Sequence, residues 1–247
     1  MDGQEENARR LLRQARRAAA FTGAGVSTGS GIPDFRSPGG IWSRYRPVSF
    51  DEFLASDDGR RRYWRYKRET FAAFRDARPN AAHRALADLE GQGRLLAVVT
   101  QNIDGLHQDA GSRRVVELHG SNRRVECLQC GRGFPAEEVM AWPDVPSCDA
   151  CGGWLKPATI SFGQALRPQV LDEAFAVARE CDLMLVLGSS LAVYPAAAVP
   201  EAALQRGIPL VVVNRDPTPL DGHAAAVVQG AVEDVLPALV VAEDPRP

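Results

Sequence analysis

The stretch FTGAGVSTGSGIPDFR at residues 21–36 decides how the fold is interpreted. Gly23 and Gly25 stand two positions apart after a short apolar run, as in the turn between a strand and a helix at a dinucleotide site. Such glycines let the backbone approach a diphosphate, and free N–H groups there suit an anion. Gly29 comes one position later than the G-x-G-x-x-G fingerprint requires. The turn therefore predicts nucleotide binding, although a plain tight turn also fits the spacing.

The segment after this turn does not have the pattern of a βαβ unit. Glycine and proline are spread through residues 29–40, a composition typical of a loop. A hydride-transfer dehydrogenase would carry an acidic residue about 20 residues on, at the end of a second strand, to hold a ribose. Here Asp34, Phe35 and Arg36 supply a carboxylate, an aromatic ring and a guanidinium within the loop. We therefore expect a mobile flap that closes over the ligand.

Short apolar runs alternate with helical patterns along most of the chain. Each run is bounded by glycine or polar residues, which is typical of strands buried on both faces of a parallel sheet. The predicted strands are residues 18–22, 95–100, 115–118, 183–190 and 209–214, and the predicted helices are 4–17, about 80–90, 168–180 and 195–206. This alternation predicts an α/β fold in which helices cover both faces of an open parallel sheet.

Small or polar residues follow all five predicted strands. Ligands bind outside the carboxyl ends of the strands in such sheets, so these residues should meet in one cleft. They are Thr22 to Gly25, Gln101 to Asp104, His119 and Gly120, Gly188 to Ser190, and Asn214. Asn102 and Asp104 can bind ribose hydroxyls or an amide, or orient a water, and an Asx-rich turn capping a helix is the alternative. His119 is the candidate general base, because an imidazole takes a hydroxyl proton near neutral pH.

The other three histidines stand in less specific surroundings. His107 is a weaker candidate for the base, expected on the side of a helix. His83 is expected to pack a helix, and His223 to lie in a loop.

Four of the five cysteines form the pattern C-x2-C-x17-C-x2-C, made by Cys127, Cys130, Cys148 and Cys151. Zinc prefers four soft ligands in a tetrahedron, and each CxxC turn supplies two of them. A redox CxxC is the alternative, but a redox motif is normally single and next to a βαβ unit. A four-cysteine site is closed, so we expect one structural zinc ion. Cys181 precedes a predicted strand and is expected in the core.

The overall composition limits the possible partners and locations. The chain has 247 residues, 45% hydrophobic and 24% charged, and a net charge of -2, so the whole chain offers a nucleic acid no electrostatic attraction. The N-terminus lacks the apolar region of a secretory signal, and no run reaches the ~18 apolar residues of a membrane span. We expect a cytoplasmic monomer without a nucleic-acid or membrane partner.

Two segments do not fit the parallel sheet and indicate a smaller second unit. Residues 35–75 are rich in aromatic and basic residues and should hold the cofactor flap and the helical part of that unit. Residues 121–157 hold the four cysteines and should form a zinc-ribbon module. The large domain is then made of residues 1–34, 76–120 and 158–247.

Seven motifs, taken together and in order, resemble the sirtuin family of NAD-dependent protein deacylases. They are GAGVSTGSGIPDFR, TQNIDGLHQDAG, ELHG, the two CxxC pairs, LKPATISFGQ, LGSSLAVYPAA and VVVN. The resemblance implies a Rossmann-like domain that binds NAD, with acyl-lysine entering the cleft beside the zinc module. It also implies that the acyl oxygen attacks the ribose as nicotinamide leaves. The family's histidine, His119 here, then deprotonates a ribose hydroxyl, and the products are free lysine, nicotinamide and O-acyl-ADP-ribose.

The resemblance also assigns residues to the two substrates. Together with the strand-end residues, the predicted cofactor-binding set is Gly23, Ala24, Gly25, Asp34, Phe35, Arg36, Gln101, Asn102, Ile103, Asp104, Gly188, Ser189, Ser190, Asn214, Arg215 and Val232. Asn102 is predicted to act with His119 in catalysis. Ile160, Phe162 and Gly163 match the strand that pairs with the substrate peptide, a mode that recognises backbone more than sequence.

Two positions depart from the family's pattern. The family usually has FGE at 162–164, where this chain has Gln164, so its peptide preference should differ. Relatives that remove succinyl or malonyl groups carry a Y-x-x-R pair on the helix after the flap. Trp64 and Lys67 stand at those positions in YWRYKRE and are predicted to contact substrate. Trp64 is similar to the residue that deacetylases have at this position. Lys67 keeps a positive charge on the helix, which could weakly bind an acidic acyl group.

The residue at position 64 favours a deacetylase, and three alternatives remain. One is removal of succinyl or malonyl groups, and another is mono-ADP-ribosyl transfer. A zinc-ribbon nucleic-acid module with a degenerate α/β domain is disfavoured by the acidic net charge and by the presence of His119, Asn102 and Asp104.

Overall fold

The computed structural model describes residues 3–34, 40 and 45–240. Phe35 and Arg36, both predicted to contact the cofactor, lie outside the described residues.

A six-stranded parallel sheet forms the centre of the larger unit. Its strands are β1 (Ala18–Thr22), β2 (Leu95–Thr100), β3 (Val115–Glu117), β7 (Leu183–Leu187), β8 (Leu210–Asn214) and β9 (Ala226–Gln229), in the order β3-β2-β1-β7-β8-β9. The chain builds outward from β1 in one direction through β2 and β3, and in the other through β7, β8 and β9. The carboxyl ends of β1 and β7 therefore form a topological switch point, where such sheets bind ligands.

Helices cover both faces of this sheet. One hydrophobic cluster joins the sheet to α1 (Gly3–Gln14), α4 (Ala81–Gly91) and α9 (Val232–Val240), and a second joins it to α7 (Pro168–Glu180) and α8 (Ala198–Gln205). Within β1, Ala18 and Ala20 belong to the first cluster, and Ala19 and Phe21 to the second. A strand that is apolar on both faces fits only between two helical layers. The predicted fold class is confirmed.

The smaller unit combines helices with an antiparallel sheet. Its elements are α2 (Phe50–Ala55), α3 (Asp57–Asp76), β4 (Gly120–Cys127), β5 (Gly133–Pro135), α6 (Ala136–Met140) and β6 (Leu155–Thr159), and the sheet order is β5-β4-β6. Phe53 and Trp64 from the helices share one core with Val125 and Leu155 from the sheet. The aromatic helices and the cysteine-bearing segment are therefore held together by one hydrophobic cluster.

The predicted strands and helices are present, with ends that differ by a few residues. The last predicted helix begins at Ala198 instead of residue 195, and the short α5 (Leu106–Asp109) completes the larger unit. Sequence analysis missed β9 and α9, because β9 spans four residues and Pro237 stands inside α9, where a proline argues against a helix. Among the described residues, no helix is long and apolar enough to cross a membrane.

Candidate active site

A cavity of about 630 Å³ lies where the carboxyl edge of the large sheet meets the smaller unit. This volume is in the range of ligand pockets of roughly 300–1,000 Å³. Residues that follow all six parallel strands line it together with residues that follow β6. From the predicted cofactor-binding set, the cavity is lined by Gly23, Ala24, Gly25, Asp34, Gln101, Asn102, Ile103, Gly188, Ser189, Ser190, Asn214, Arg215 and Val232.

Two predicted contact residues lie elsewhere. Asp104 is buried behind the cavity wall, where its carboxylate accepts hydrogen bonds from Ser27 Oγ at 2.8 Å and from Leu106 N at 2.9 Å. Trp64 is fully buried in the core of the smaller unit, and its Nε1 donates to the Leu155 carbonyl at 3.2 Å. Neither residue lines the cavity: Asp104 supports the loop that carries Asn102, and Trp64 packs in the core of the smaller unit.

The glycine turn is shaped first by a contact within the protein. A Cβ atom added at Gly23 would stand 2.7 Å from the Gly188 carbonyl oxygen, and one at Gly25 would stand 2.8 Å from Gly188 Cα. The N–H groups of Gly23 and Gly25 donate to the carbonyls of Leu187 and Gly188 at 3.0 and 2.9 Å. The expectation that these two N–H groups are free for an anion is therefore wrong. Because Gly23 and Gly25 have no side chain, the turns after β1 and β7 pack directly against each other. Both turns line the cavity.

Asn102 is held from two sides. Its backbone N–H donates to Thr100 Oγ1 and its Nδ2 donates to Ser27 Oγ, both at 3.0 Å. Since Ser27 donates in turn to Asp104, the serine hydroxyl fixes the amide and the carboxylate relative to each other. Burial raises the pKa of the Asp104 carboxyl, while the hydrogen bonds from Leu106 and Ser27 oppose this shift. The cavity thus presents a rigid amide at the end of β2.

His119 lines the same cavity and follows β3 closely. Its Nδ1 lies 3.0 Å from the Gln101 carbonyl oxygen, which can only accept, so Nδ1 carries the proton. The neutral ring then holds its lone pair at Nε2. Burial lowers the pKa of His119, and the hydrogen bond to Gln101 partly opposes this. A ring that is neutral at physiological pH and fixed in this tautomer can act as a general base.

The segment after β6 forms the opposite wall. Ile160, Phe162 and Gly163 all line the cavity, and Ile160 N donates to the His119 carbonyl at 2.9 Å. This bond ties the wall to the histidine segment. The Phe162 side chain is 49% exposed. Gln164, which stands where the family usually has glutamate, accepts through Oε1 from Ser161 N at 3.1 Å and so closes the local turn.

Lys67 places a buried amine in the wall of the cavity. Its Nζ donates to Asn122 Oδ1 at 3.2 Å and to Thr159 Oγ1 at 3.3 Å, both neutral acceptors. No carboxylate among the described residues forms an ion pair with it. Burial lowers the pKa of Lys67 to about 7.

The four cysteines of the CxxC pairs come together at one end of the smaller unit. Their sulfur atoms all lie within 4.8 Å of one another. Cys127 Sγ is 3.5 Å from Cys151 Sγ, and Cys130 Sγ is 3.8 Å from Cys148 Sγ. Sulfurs bound at ~2.3 Å to a tetrahedral zinc are roughly 3.8 Å apart, so these thiols could hold one structural ion. None of the four lines the cavity.

Sequence analysis missed several residues that line or support the site. Tyr63 and Tyr66 line the cavity beside Lys67, at helical spacing on α3. That spacing was a usable signal, because residues three or four apart share a helix face. Ser27 gave no signal, since its role depends on Asn102 and Asp104, which are far from it in the sequence.

Comparison with known proteins identifies the class. The model of the Sir2 family matches residues 23–195. The NAD-dependent protein deacetylase of Thermodesulfovibrio yellowstonii is 45% identical over 215 residues, covering 85% of this chain and 84% of the relative. NAD-dependent protein deacetylase 1 of Bradyrhizobium diazoefficiens is 47% identical over 219 residues, covering 85% of each. The chain therefore belongs to the Sir2 family, and the predicted resemblance to sirtuins is confirmed.

Solved structures agree with this membership. A Sir2 homologue mutant in complex with ADP-ribose has a TM-score of 0.89 at 38% identity, over 97% of this chain and 95% of that chain. A Sir2 variant with a deacetylated p53 peptide and 3'-O-acetyl ADP-ribose has a TM-score of 0.87 at 38% identity, over 94% of this chain and 96% of that chain. The chain is an enzyme of this family, and NAD is its cofactor.

Proposed function

We propose that this protein removes acetyl groups from protein lysines in an NAD-dependent reaction that yields nicotinamide and O-acetyl-ADP-ribose. One observation carries the proposal. His119, fixed as a base by the Gln101 carbonyl, lines one cavity together with Asn102 and with the peptide-pairing segment at Ile160. A base, an amide and a peptide-binding edge in one cavity suit acyl transfer from a lysine. The relatives' names and the product complex support the same reaction.

The chain's own residues would divide the work as follows. The turns at Gly23 to Gly25 and at Gly188 bind the diphosphate side of the cofactor, and Ala24 N has no hydrogen-bond partner among the described residues. Asn102 orients the nicotinamide ribose through an amide fixed by Ser27. NAD, when bound, supplies a ribose carbon that can take the acyl oxygen as nicotinamide leaves. His119 takes up a proton at Nε2 from a ribose hydroxyl.

The substrate peptide would add as a strand beside the segment after β6. Ile160, Phe162 and Gly163 line the cavity there, and recognition by an added strand depends more on main-chain hydrogen bonds than on sequence. A zinc ion held by the four cysteines would stabilise the smaller unit and would touch neither substrate, because these cysteines lie outside the cavity. Thiolate ligands persist in a reducing compartment, which favours a cytoplasmic location, and we propose a monomer.

Lys67 favours a second candidate activity, removal of acyl groups that end in a carboxylate. A protonated Lys67 has three N–H donors and only two acceptors in the described structure, both longer than 3 Å. The third donor can reach an acidic acyl group in the cavity. Because the pKa of Lys67 is about 7, the site would bind such a group better below neutral pH than above it. Tyr63, Tyr66 and Lys156 also pack near this amine.

A paired assay tests the proposal. Initial rates of nicotinamide release are measured with one peptide sequence carrying either acetyl-lysine or succinyl-lysine, with unmodified lysine as the control. We expect a higher kcat/KM for the acetyl peptide at pH 8 and no release with unmodified lysine. A higher kcat/KM for the succinyl peptide at that pH would reverse the assignment, and peptide-independent transfer of ADP-ribose to protein would indicate the transferase instead.

A further inference from the structure

His107 is a buried histidine that the proposed chemistry does not use. It lies on α5, just after the loop that carries Asn102 and Asp104, and is 1% exposed. It does not line the cavity. Its Nε2 is 3.0 Å from Thr22 Oγ1 at the end of β1. A buried polar ring behind the site, bonded to the end of another strand, needs an explanation beyond packing.

The contacts of His107 close a ring of hydrogen bonds around the catalytic loop. Thr22 Oγ1 donates to Thr100 Oγ1 at 2.7 Å, and these two residues are register partners in the β1–β2 ladder. Thr100 Oγ1 also accepts from Asn102 N at 3.0 Å. The loop from Thr100 to His107 is thus bonded at its start and at its end to the same pair of hydroxyls. Three hydrogen bonds in series thus connect the His107 ring to the backbone of Asn102.

The direction of these bonds fixes the state of the ring. Because Thr22 donates its proton to Thr100, it accepts from His107, so Nε2 carries the proton. His107 Nδ1 is buried and has no hydrogen-bond partner among the residues that the structure describes. The His83 ring lies 4.8 Å away, between centroids. Burial, followed by the neighbouring His83, holds the pKa of His107 well below its usual value, so the ring stays neutral and keeps donating to Thr22.

We propose that His107 is a positioning residue that, through Thr22 and Thr100, holds Asn102 in place for cleavage of the nicotinamide bond. The inference rests on the proposed NAD-dependent function, and it adds a residue that never touches substrate or cofactor. Loss of the His107 bond frees one end of the loop, so the Asn102 amide should populate displaced positions. A misplacement of about 1 Å at a reacting centre costs on the order of 10²-fold in rate.

The test measures nicotinamide exchange, which reports bond cleavage without the base step. Three variants are compared with the wild type: His107→Leu removes the donor, His107→Gln offers an amide donor, and Thr22→Val removes the acceptor. His223→Leu is the matched control, since His223 is exposed at the end of the short 3-10 helix Asp221–His223. We expect His107→Leu to lower kcat on the order of 10²-fold with little change in the KM for NAD. His107→Gln should recover at least about tenfold of that loss.

A double-mutant cycle separates positioning from stability. If His107 acts through Thr22, the double variant His107→Leu and Thr22→Val should be no slower than the slower single variant, whereas independent effects multiply. Melting temperatures are recorded for every variant, and the Gln and Leu variants should melt within a few degrees of each other. Unchanged exchange in His107→Leu, equal loss in the Gln variant, or multiplying effects in the cycle would each overturn the proposal. Absence of exchange in the wild type would instead refute the proposed function.

Discussion

Acid should destabilise this protein through His83, and the size of the effect follows from its burial. His83 is fully buried on α4, where its Nδ1 accepts from Asn80 N at 3.3 Å and its Nε2 lies 3.4 Å from Ser27 Oγ. Burial, followed by the nearby Arg84 charge, lowers the pKa of His83 from 6.5 to about 4. Between these two pKa values, His83 is therefore protonated in the unfolded chain and neutral in the folded chain. The stabilisation is complete above pH 6.5 and is lost as the pH falls toward 4.

The expected magnitude comes from proton linkage. Between pH 7.5 and pH 5.5 the unfolded histidine becomes about 90% protonated, while the folded one stays almost entirely neutral. With pKa values of 6.5 and about 4, this difference removes about 1.3 kcal/mol of the free energy of unfolding, roughly tenfold in the equilibrium constant.

Urea unfolding at the two pH values measures this free energy for the wild type and for His83→Gln. Titrating groups that do not contact His83, including His119, contribute to both proteins and cancel in the double difference. The wild type should lose about 1.3 kcal/mol more than the variant on acidification. An equal loss in both proteins would show that His83 titrates alike in the folded and unfolded chains, and would refute the reasoning from burial.

Three further predictions follow from the site and its frame. His119→Ala should abolish deacetylation yet leave some nicotinamide exchange, because bond cleavage precedes the base step; full deacetylation by this variant would remove His119 from its role. Gly25→Ala should lower the free energy of unfolding, measured with urea, by about 1–3 kcal/mol, because its Cβ would stand 2.8 Å from Gly188 Cα. Gly222→Ala is the control, because a Cβ at Gly222 would meet no atom within 4 Å. For the wild type, the succinyl-to-acetyl ratio of kcat/KM should rise as the pH falls from 8 to 6, because Lys67 has a pKa of about 7, and this rise should disappear in Lys67→Met.

The framework of the protein was predictable because it depends on local patterns. The apolar runs of β1, β2 and β7 need two covering layers wherever they occur, and the CxxC pairs carry their spacing in the sequence. The position of His119 followed from one rule, that residues after parallel strands meet at one edge. The cavity-lining residues after β1, β2, β3 and β7 follow from the same rule.

The details that sequence analysis missed depend on contacts between distant segments. The spacing of Gly23 and Gly25 is the same in a turn that binds a nucleotide and in a turn that packs against another loop. Their N–H groups donate to Leu187 and Gly188, which are far away in the sequence. Trp64 and Lys67 share the same helix, yet Trp64 packs against Leu155 in the core and Lys67 reaches the cavity. No pattern within one segment distinguishes these cases.

The identity of the nucleotide product tests the central claim most directly. The protein is incubated with NAD and an acetyl-lysine peptide, and mass spectrometry quantifies the nicotinamide, the peptide and the nucleotide formed, with His119→Ala as the control. We predict equal amounts of nicotinamide, deacetylated peptide and O-acetyl-ADP-ribose, and none of the acetylated nucleotide from the variant. Loss of acetyl groups as free acetate without NAD consumption, or ADP-ribose attached to protein with the acetyl group intact, would contradict the account.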